Sequence, residues 1–291
     1  MERFGHCHCL AHVAASSYSF RERSARSATF PCRGICLNDR PVTVSVVSHG
    51  HGDAVVHLLQ DLSAYAAKEV GRVIVTLNVP ESRLSDAVNA ESWPFEIDWI
   101  CNSEPLGYGA NHNQAYALCQ SSCFCVLNPD VRLNSNPYPA LLASLAMPNV
   151  GCVYPLQHGD DGKPFDAARA VPTPISLFFR YFLPASQRYV RCRDWVNGAF
   201  MLFRSEVFES ISGFDQQFFM YCEDVDICLR LQLQGYELRF APSAVIVHEG
   251  QRASRRKLQH LIWHIRSLFK LWVAPSYQSY KVSQRQTAQL K

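Results

Sequence analysis

Three short stretches carry residues whose types and spacing could do chemistry. Asn128-Pro-Asp130 follows the apolar run Cys123-Phe-Cys-Val-Leu127. Residues two apart in an extended chain point to one side, so Asn128 and Asp130 share a face. Their oxygens suit a hard cation bridging a diphosphate, or an Asx-Pro turn in which Asp130 caps the backbone. The second stretch, Glu223-Asp-Val-Asp-Ile-Cys-Leu-Arg-Leu231, reads as a helix starting near Glu223. At about 100° per residue, Glu223, Asp226, Arg230 and Gln234 form a polar face that solvent explains, and Asp226 with Arg230 makes an i,i+4 pair. Asp224 instead falls among Ile227, Cys228 and Leu231, on the side expected to be buried. Burial raises a carboxylate's basicity while a helix N-terminus keeps it partly ionised, so Asp224 is a candidate general base. The alternative is a carboxylate that caps the helix or pairs with a buried cation. The third residue is His248, at the end of the apolar strand Leu238-Arg-Phe-Ala-Pro-Ser-Ala-Val-Ile-Val247. Its imidazole would ligate a metal or hydrogen-bond a carbonyl.

The elements that must position these residues alternate between short β-branched runs and helical stretches, the pattern of a sheet built from βαβ units. Val42–Val47 reads as a buried strand closing on Ser48-His-Gly-His-Gly52. A helix from Asp53 to Lys68 follows, with Asp53 as N-cap and Val56, Leu59 and Leu62 on one face. Strands are expected at Arg72–Leu77, closing at Asn78, at Glu96–Ile100 and at Ser122–Leu127. A helix over Asn111–Cys119 is entered through Gly107-Tyr-Gly109. Ligands of open α/β sheets bind outside the carboxyl ends of strands, where these polar residues cluster.

Composition narrows the classes. A hydrophobic fraction of 48% supports a sizeable core, and a net charge of +3 gives no footing for nucleic-acid binding. The 12 cysteines are spread through a large domain with no secretory signal ahead of them, which reads as reduced thiols in a cytosolic protein. Residues 1–39 stand apart: His6, Cys7, His8, Cys9 and His12 precede a basic, serine-rich stretch. They are expected to form a disordered extension or to reflect a start placed too far upstream, with a zinc site from Cys7, Cys9, Cys32 and Cys36 as the alternative. Residues 40–254 are expected to form one domain, and residues 255–291 a basic amphipathic helix and tail.

In that tail Arg252, Arg255, Arg256 and Lys257 lead into Leu258–Trp272. There Leu258, Leu261, Ile262, Ile265, Leu268, Phe269 and Trp272 span about 120° of the helical wheel, with Gln259, His260, His264, Arg266 and Lys270 opposite. Such a stripe packs onto a core or lies on an anionic membrane surface. No run approaches the roughly 18 apolar residues a membrane-spanning helix needs.

Several motifs together resemble family 2 glycosyltransferases, especially their rhamnosyltransferase-like branch. These are Trp195-Val-Asn-Gly-Ala-Phe-Met-Leu-Phe-Arg204, Gly213-Phe-Asp215, Phe218-Phe-Met-Tyr-Cys-Glu-Asp-Val-Asp226 and His248. Leu106-Gly-Tyr-Gly-Ala-Asn-His-Asn113 and Leu127-Asn-Pro-Asp-Val131 join them. The match covers residues 42–270. It implies a GT-A fold, an α/β Rossmann-like domain with a mixed, mostly parallel sheet. It also implies an inverting transfer of rhamnose or another hexose from a nucleotide-diphosphate sugar to a glycan or lipid-linked glycan hydroxyl, at or near the inner face of the cell membrane. The resemblance assigns Ser48, His49, Asn78, Gly107, Asn111, Asn113 and Asn128 to the donor. Asp130 and His248 go to a divalent cation, Mg²⁺ or Mn²⁺, and the pair Glu223 and Asp224 to catalysis, with Asp224 as base.

This sequence departs from the family in three places. Leu77 stands where an acid usually precedes the asparagine, Ser48-His-Gly-His-Gly52 replaces the usual Tyr-Asn loop, and Asn128 replaces an acid. Those departures suggest a non-catalytic nucleotide-sugar binder as one rival. A nucleotidyltransferase, the other, would need an Arg- or Lys-bearing glycine-rich loop where Ser48–Gly52 has no such cation.

Overall fold

The computed structural model describes residues 40–165, 167–177, 193–248 and 258–289. The expected extension over residues 1–39, its possible zinc site at Cys7, Cys9, Cys32 and Cys36, and the cluster Arg252, Arg255, Arg256 and Lys257 lie outside the described residues.

Strand β1 (Val42–Ser48) is buried along its whole length, because parallel neighbours flank it and helices cover both faces. Helix α1 (Asp53–Tyr65) leads to β2 (Val70–Leu77). Helix α2 (Ser82–Asn89) leads to β3 (Glu96–Cys101), and α3 (Tyr108–Tyr116) to β4 (Cys123–Leu127). These give the parallel order β3-β2-β1-β4. Next come β5 (Val131–Arg132), α4 (Tyr138–Leu145), β6 (Val150–His158), β7 (Pro164–Phe165), β8 (Ala168–Arg169), β9 (Trp195–Val196) and β10 (Phe200–Arg204). The last elements are α5 (Ser205–Ser210), α6 (Glu223–Leu233), β11 (Glu237–His248), α7 (Leu258–Val273) and α8 (Pro275–Gln289). Strand β10 runs antiparallel between β4 and β6, and β11 lies parallel to β6, so the expected mixed sheet is present.

Three local readings change. Gly52, with φ of 47°, occupies the cap position of α1, and Asp53 is already inside the helix. The buried face of α1 is Val55, Leu58, Leu59 and Leu62, with Val56 only partly covered. Helix α3 starts at Tyr108 rather than Asn111, because Gly107 in extended conformation stops the preceding chain.

The tail is two helices. Helix α8 packs Tyr277 and Tyr280 into a cluster with Val225 and Leu229 of α6. Helix α7 meets the body through His260, His264, Ser267 and Leu271. Its apolar stripe points away: Leu258 is 74% exposed, Phe269 63% and Val273 78%, with Leu261, Ile262 and Ile265 also exposed. Leu268 and Trp272 are the covered members of the expected stripe. Core packing therefore does not explain this face.

One ion pair places the end of β5. Asp61 of α1, nearly buried, accepts from Arg132 Nε at 2.6 Å and Nη2 at 2.9 Å, and from the Leu133 amide at 2.9 Å. Strand β5 then pairs Val131 with His248 of β11, which brings the preceding Asp130 beside that imidazole. Removing one partner of such a pair leaves the other desolvated charge uncompensated. Asp61→Ala is expected to cost roughly 2–4 kcal/mol of unfolding free energy, less than for a fully buried pair because Arg132 is partly exposed. Denaturant titration checks this, and a cost under about 1 kcal/mol would mean that β5 is held by other contacts.

Candidate active site

At the carboxyl ends of β1 and β2, the loop after Ser48 folds around a carboxylate from the start of α2. Glu81 accepts from Ser48 Oγ at 2.7 Å, the Gly50 amide at 2.8 Å and the Gly52 amide at 3.0 Å. Positive φ at Gly50 and Gly52 turns those amides to the same anion, a conformation that costs glycine little. Asn78 bonds the Leu106 backbone in both directions, at 2.8 and 3.0 Å, and lies 3.2 Å from His49 Nδ1. Asn102 then donates to Asn78 at 2.8 Å and Asn111 at 2.6 Å, while Asn111 itself donates to Gly107 O at 3.0 Å. Ser48, His49, Asn78, Gly107 and Asn111 are thus joined in one polar seam. Asn113 is not part of it: its amide bonds the Phe214 backbone at 2.8 and 2.9 Å and steadies the Gly213 turn.

Tyr108 links this seam to the acids. Its hydroxyl lies 2.7 Å from Gly198 O and 3.0 Å from Asn128 Oδ1, and its pKa is pushed up by burial and then by the charges of Glu223, Asp224 and Asp130. A Cβ at Gly198 would stand 2.9 Å from that hydroxyl, so this close approach requires glycine. On its other side the Gly198 backbone acts to lower the pKa of Asp224. Because the charges of Glu223, Asp224 and Asp130 all act on the Tyr108 hydroxyl, the three acids lie around one side chain.

Helix α6 begins with the acids. Asp224 is half-buried and accepts from the Val225 amide at 2.9 Å. Burial raises its pKa to about 6, against the pull of the Val225 and Gly198 backbone and of Arg169. Glu223 is more fully covered, and burial followed by the neighbouring Asp224 pushes it up. The expectation that Glu223 and Asp226 face solvent is overturned, since they are 6% and 2% exposed. Helix α8, whose Ser276 Oγ donates to Asp226 at 2.6 Å, covers that face. The i,i+4 pair is present, with Arg230 Nε 2.7 Å from Asp226.

Asp130 and His248 meet at 3.4 Å between Oδ1 and Nε2. Asp130 Oδ1 and His248 Nδ1 are buried without a hydrogen-bond partner among the described residues. Burial works to raise the pKa of Asp130, but the imidazoles of His248 and His51 hold it below the usual carboxylate range. An anionic oxygen beside an imidazole, each with unspent capacity, is a donor set that fits Mn²⁺ or Mg²⁺. Among the described residues no group of three or more His, Cys, Asp or Glu side chains could hold a metal alone. Such a cation would need further ligands from a bound diphosphate or water.

Glu81, Asn102, Tyr108, Arg169 and Gly198 were not singled out from the sequence. Tyr108 and Gly198 lie inside the motifs that carry the family resemblance, whereas Glu81 precedes α2 and Arg169 lies on the two-residue strand β8, positions that no periodicity marks.

A family model described as glycosyl transferase family group 2 matches residues 177–274. The rhamnosyltransferase WbbL of Escherichia coli K12 is 27% identical over 79% of this chain and 91% of its own length. The N-acetylglucosaminyl-diphospho-decaprenol L-rhamnosyltransferase of Mycobacterium tuberculosis is 31% identical, and its match covers 50% of this chain and 52% of that enzyme. Among solved structures, the Pyrobaculum calidifontis mannosyltransferase PcManGT, in complex with GDP-Man and Mn²⁺, superposes with a TM-score of 0.56 at 17% identity. That match covers 85% of this chain and 75% of the other. GalNAc-T7 with UDP, GalNAc and Mn²⁺ gives a TM-score of 0.57 at 15% identity, covering 71% of this chain and 42% of that one.

Proposed function

We propose, from the similarity to family 2 glycosyltransferases over residues 177–274 and to rhamnosyltransferases, that this cleft transfers rhamnose or another hexose from a nucleotide-diphosphate sugar to a hydroxyl of a glycan or lipid-linked glycan. The observation that carries this reading is Tyr108, whose hydroxyl meets Asn128 Oδ1 and Gly198 O and feels the charges of Glu223, Asp224 and Asp130, which supports one cleft shared by the candidate cation ligands and the candidate base. Asp130 and His248 would hold Mg²⁺ or Mn²⁺, whose charge stabilises the departing diphosphate. The polar seam from Ser48 to Asn111 would seat the nucleotide, with Glu81 offering a carboxylate where Leu77 gives none.

In this mechanism Asp224 takes the proton from the acceptor hydroxyl as its oxygen bonds to the anomeric carbon. The bond from that carbon to the diphosphate oxygen breaks on the opposite face, and the electron pair leaves with the nucleoside diphosphate. Burial leaves Asp224 basic enough for this role, and the Val225 amide fixes its orientation. A screen of nucleotide sugars for Mn²⁺-dependent release of nucleoside diphosphate tests the reading. Release from one donor, increased by a glycan acceptor, is expected, and no release from any donor would refute it.

The acceptor side of the proposal is an anionic membrane surface. No described helix is long and apolar enough to cross a membrane. The exposed stripe of α7 has Arg266 and Lys270 beside it, and Arg252, Arg255, Arg256 and Lys257 precede it in sequence. Apolar burial with flanking positive charge is the chemistry of an interfacial helix. The double substitution Ile265→Asp and Phe269→Asp is expected to lower sedimentation with phosphatidylglycerol vesicles by about 10-fold or more, since each loses a buried apolar side chain and adds repulsion. Unchanged sedimentation would remove the membrane from the proposal.

A further inference from the structure

The residues immediately before Glu223 adopt a conformation that their side chains disfavour. Tyr221 and Cys222 have φ of 71° and 68°, the left-handed region, in which consecutive non-glycine residues need outside support. That support comes from α7. Tyr221 Oη lies 2.9 Å from His260 Nδ1, and its ring packs, tilted by 42°, against that of His264 with centroids 5.0 Å apart. One residue earlier, Met220 O accepts from Ser267 Oγ at 2.8 Å, and Gln217 O accepts from Lys270 Nζ at 2.6 Å. Phe219 packs on Trp263 with ring centroids 5.2 Å apart.

On its inner side the same segment touches the donor loop. The Tyr108 amide donates to Phe219 O at 2.8 Å, and a Cβ at Gly107 would stand 2.7 Å from that oxygen. Residues 217–222 are therefore held between α7 outside and the Gly107-Tyr108 turn inside, and they end at the acid pair.

We propose that α7 is a strut whose Tyr221–His260 contact sets the position of Asp224, making Tyr221 and His260 positioning residues for the proton transfer. This deepens the glycosyltransferase reading and rests on it. On that reading, the helix that meets the acceptor's surface is also the one that aims the base.

The test uses the full chain and compares Tyr221→Phe, His260→Ala, the double variant and His260→Gln, whose amide can still meet the tyrosine hydroxyl. Each single loss is expected to lower kcat by about 10-fold with donor KM changed less than about 2-fold, because a misaimed base slows chemistry without weakening binding. The double variant is expected to match the single ones, as for residues acting through one contact, and His260→Gln to recover most of the rate. Hydrogen exchange of the amides in residues 217–224 is expected to quicken in both single variants, with other segments unchanged. An unchanged kcat, additive losses, or a KM that rises in step with the fall in kcat would overturn the proposal. Should the native chain release no nucleoside diphosphate from any donor, the glycosyltransferase reading fails. The exchange result then decides the strut by itself: faster exchange in the turn upholds it, and unchanged exchange overturns it.

Discussion

Asp224→Asn is expected to lower kcat by about 10²–10⁴, the range a positioned general base contributes. The substitution is isosteric, so the Val225 amide, 2.9 Å from Asp224 Oδ1, can still be met by the side-chain oxygen. What disappears is the capacity to take a proton. With the pKa raised to about 6 by burial, the native enzyme is expected to hold a plateau of kcat/KM above that value and to fall about ten-fold per pH unit below it. The variant's residual rate should lose that limb. The stability sign is opposite to that of a salt-bridged carboxylate. A folded pKa above the unfolded value of about 4 means that this group's contribution is lost as pH rises through about 4 to 6. The asparagine variant should therefore unfold no more easily than the native chain at neutral pH. A kcat within about 3-fold of native, in a variant of native thermal midpoint, would take the base role from Asp224.

Much of this site could be read from residue order because its parts sit at the ends of strongly patterned elements. The β-branched runs at Val42–Val47 and Arg72–Leu77 announce parallel strands, which extend over Val42–Ser48 and Val70–Leu77, and their carboxyl ends deliver Ser48 and Asn78 to one edge. The extended geometry expected to put Asn128 and Asp130 on one face is not what forms: β4 ends at Leu127, and Asn128–Val131 is a turn in which the Val131 amide donates to Asn128 O at 3.2 Å, as the Asx-Pro alternative has it. The helix of acids was harder. Periodicity within α6 assigns Glu223 and Asp226 to solvent, but both are buried, and α8, about 50 residues downstream, lies against Asp226 through Ser276. The same long-range packing turns α7 so that its histidines meet the body and its apolar stripe faces out. A helical wheel shows that two faces differ, not which one the fold covers. Glu81 illustrates a third limit. Its role follows from two glycines with positive φ presenting amides to it, which residue types alone do not specify.

The second large effect is expected at Asp130. Its partner His248 lies 3.4 Å away, and the neighbouring imidazoles keep the carboxylate ionised below its usual range. Asp130→Asn removes the negative charge from a pair that would hold the cation, and a loss of about 10²–10³ in kcat/KM is expected, comparable to deleting one preorganised electrostatic contact. Because the cation is then bound more weakly, the required Mn²⁺ concentration should rise and excess Mn²⁺ should restore part of the rate. Titration of activity with Mn²⁺ checks this. An activity curve identical to that of the native chain would assign the metal elsewhere. The contrast with Asp224 is qualitative: Asp224→Asn should keep cation-dependent donor binding, and Asp130→Asn should not.

The most direct measurement is a crystal structure of the full chain carrying Asp224→Asn, soaked with Mn²⁺ and the donor that the screen identifies. The account predicts the cation in contact with Asp130 and His248, and the sugar's anomeric carbon lying between that cation and the side chain at position 224. A sugar seated away from residue 224, or a cation touching neither Asp130 nor His248, would contradict it.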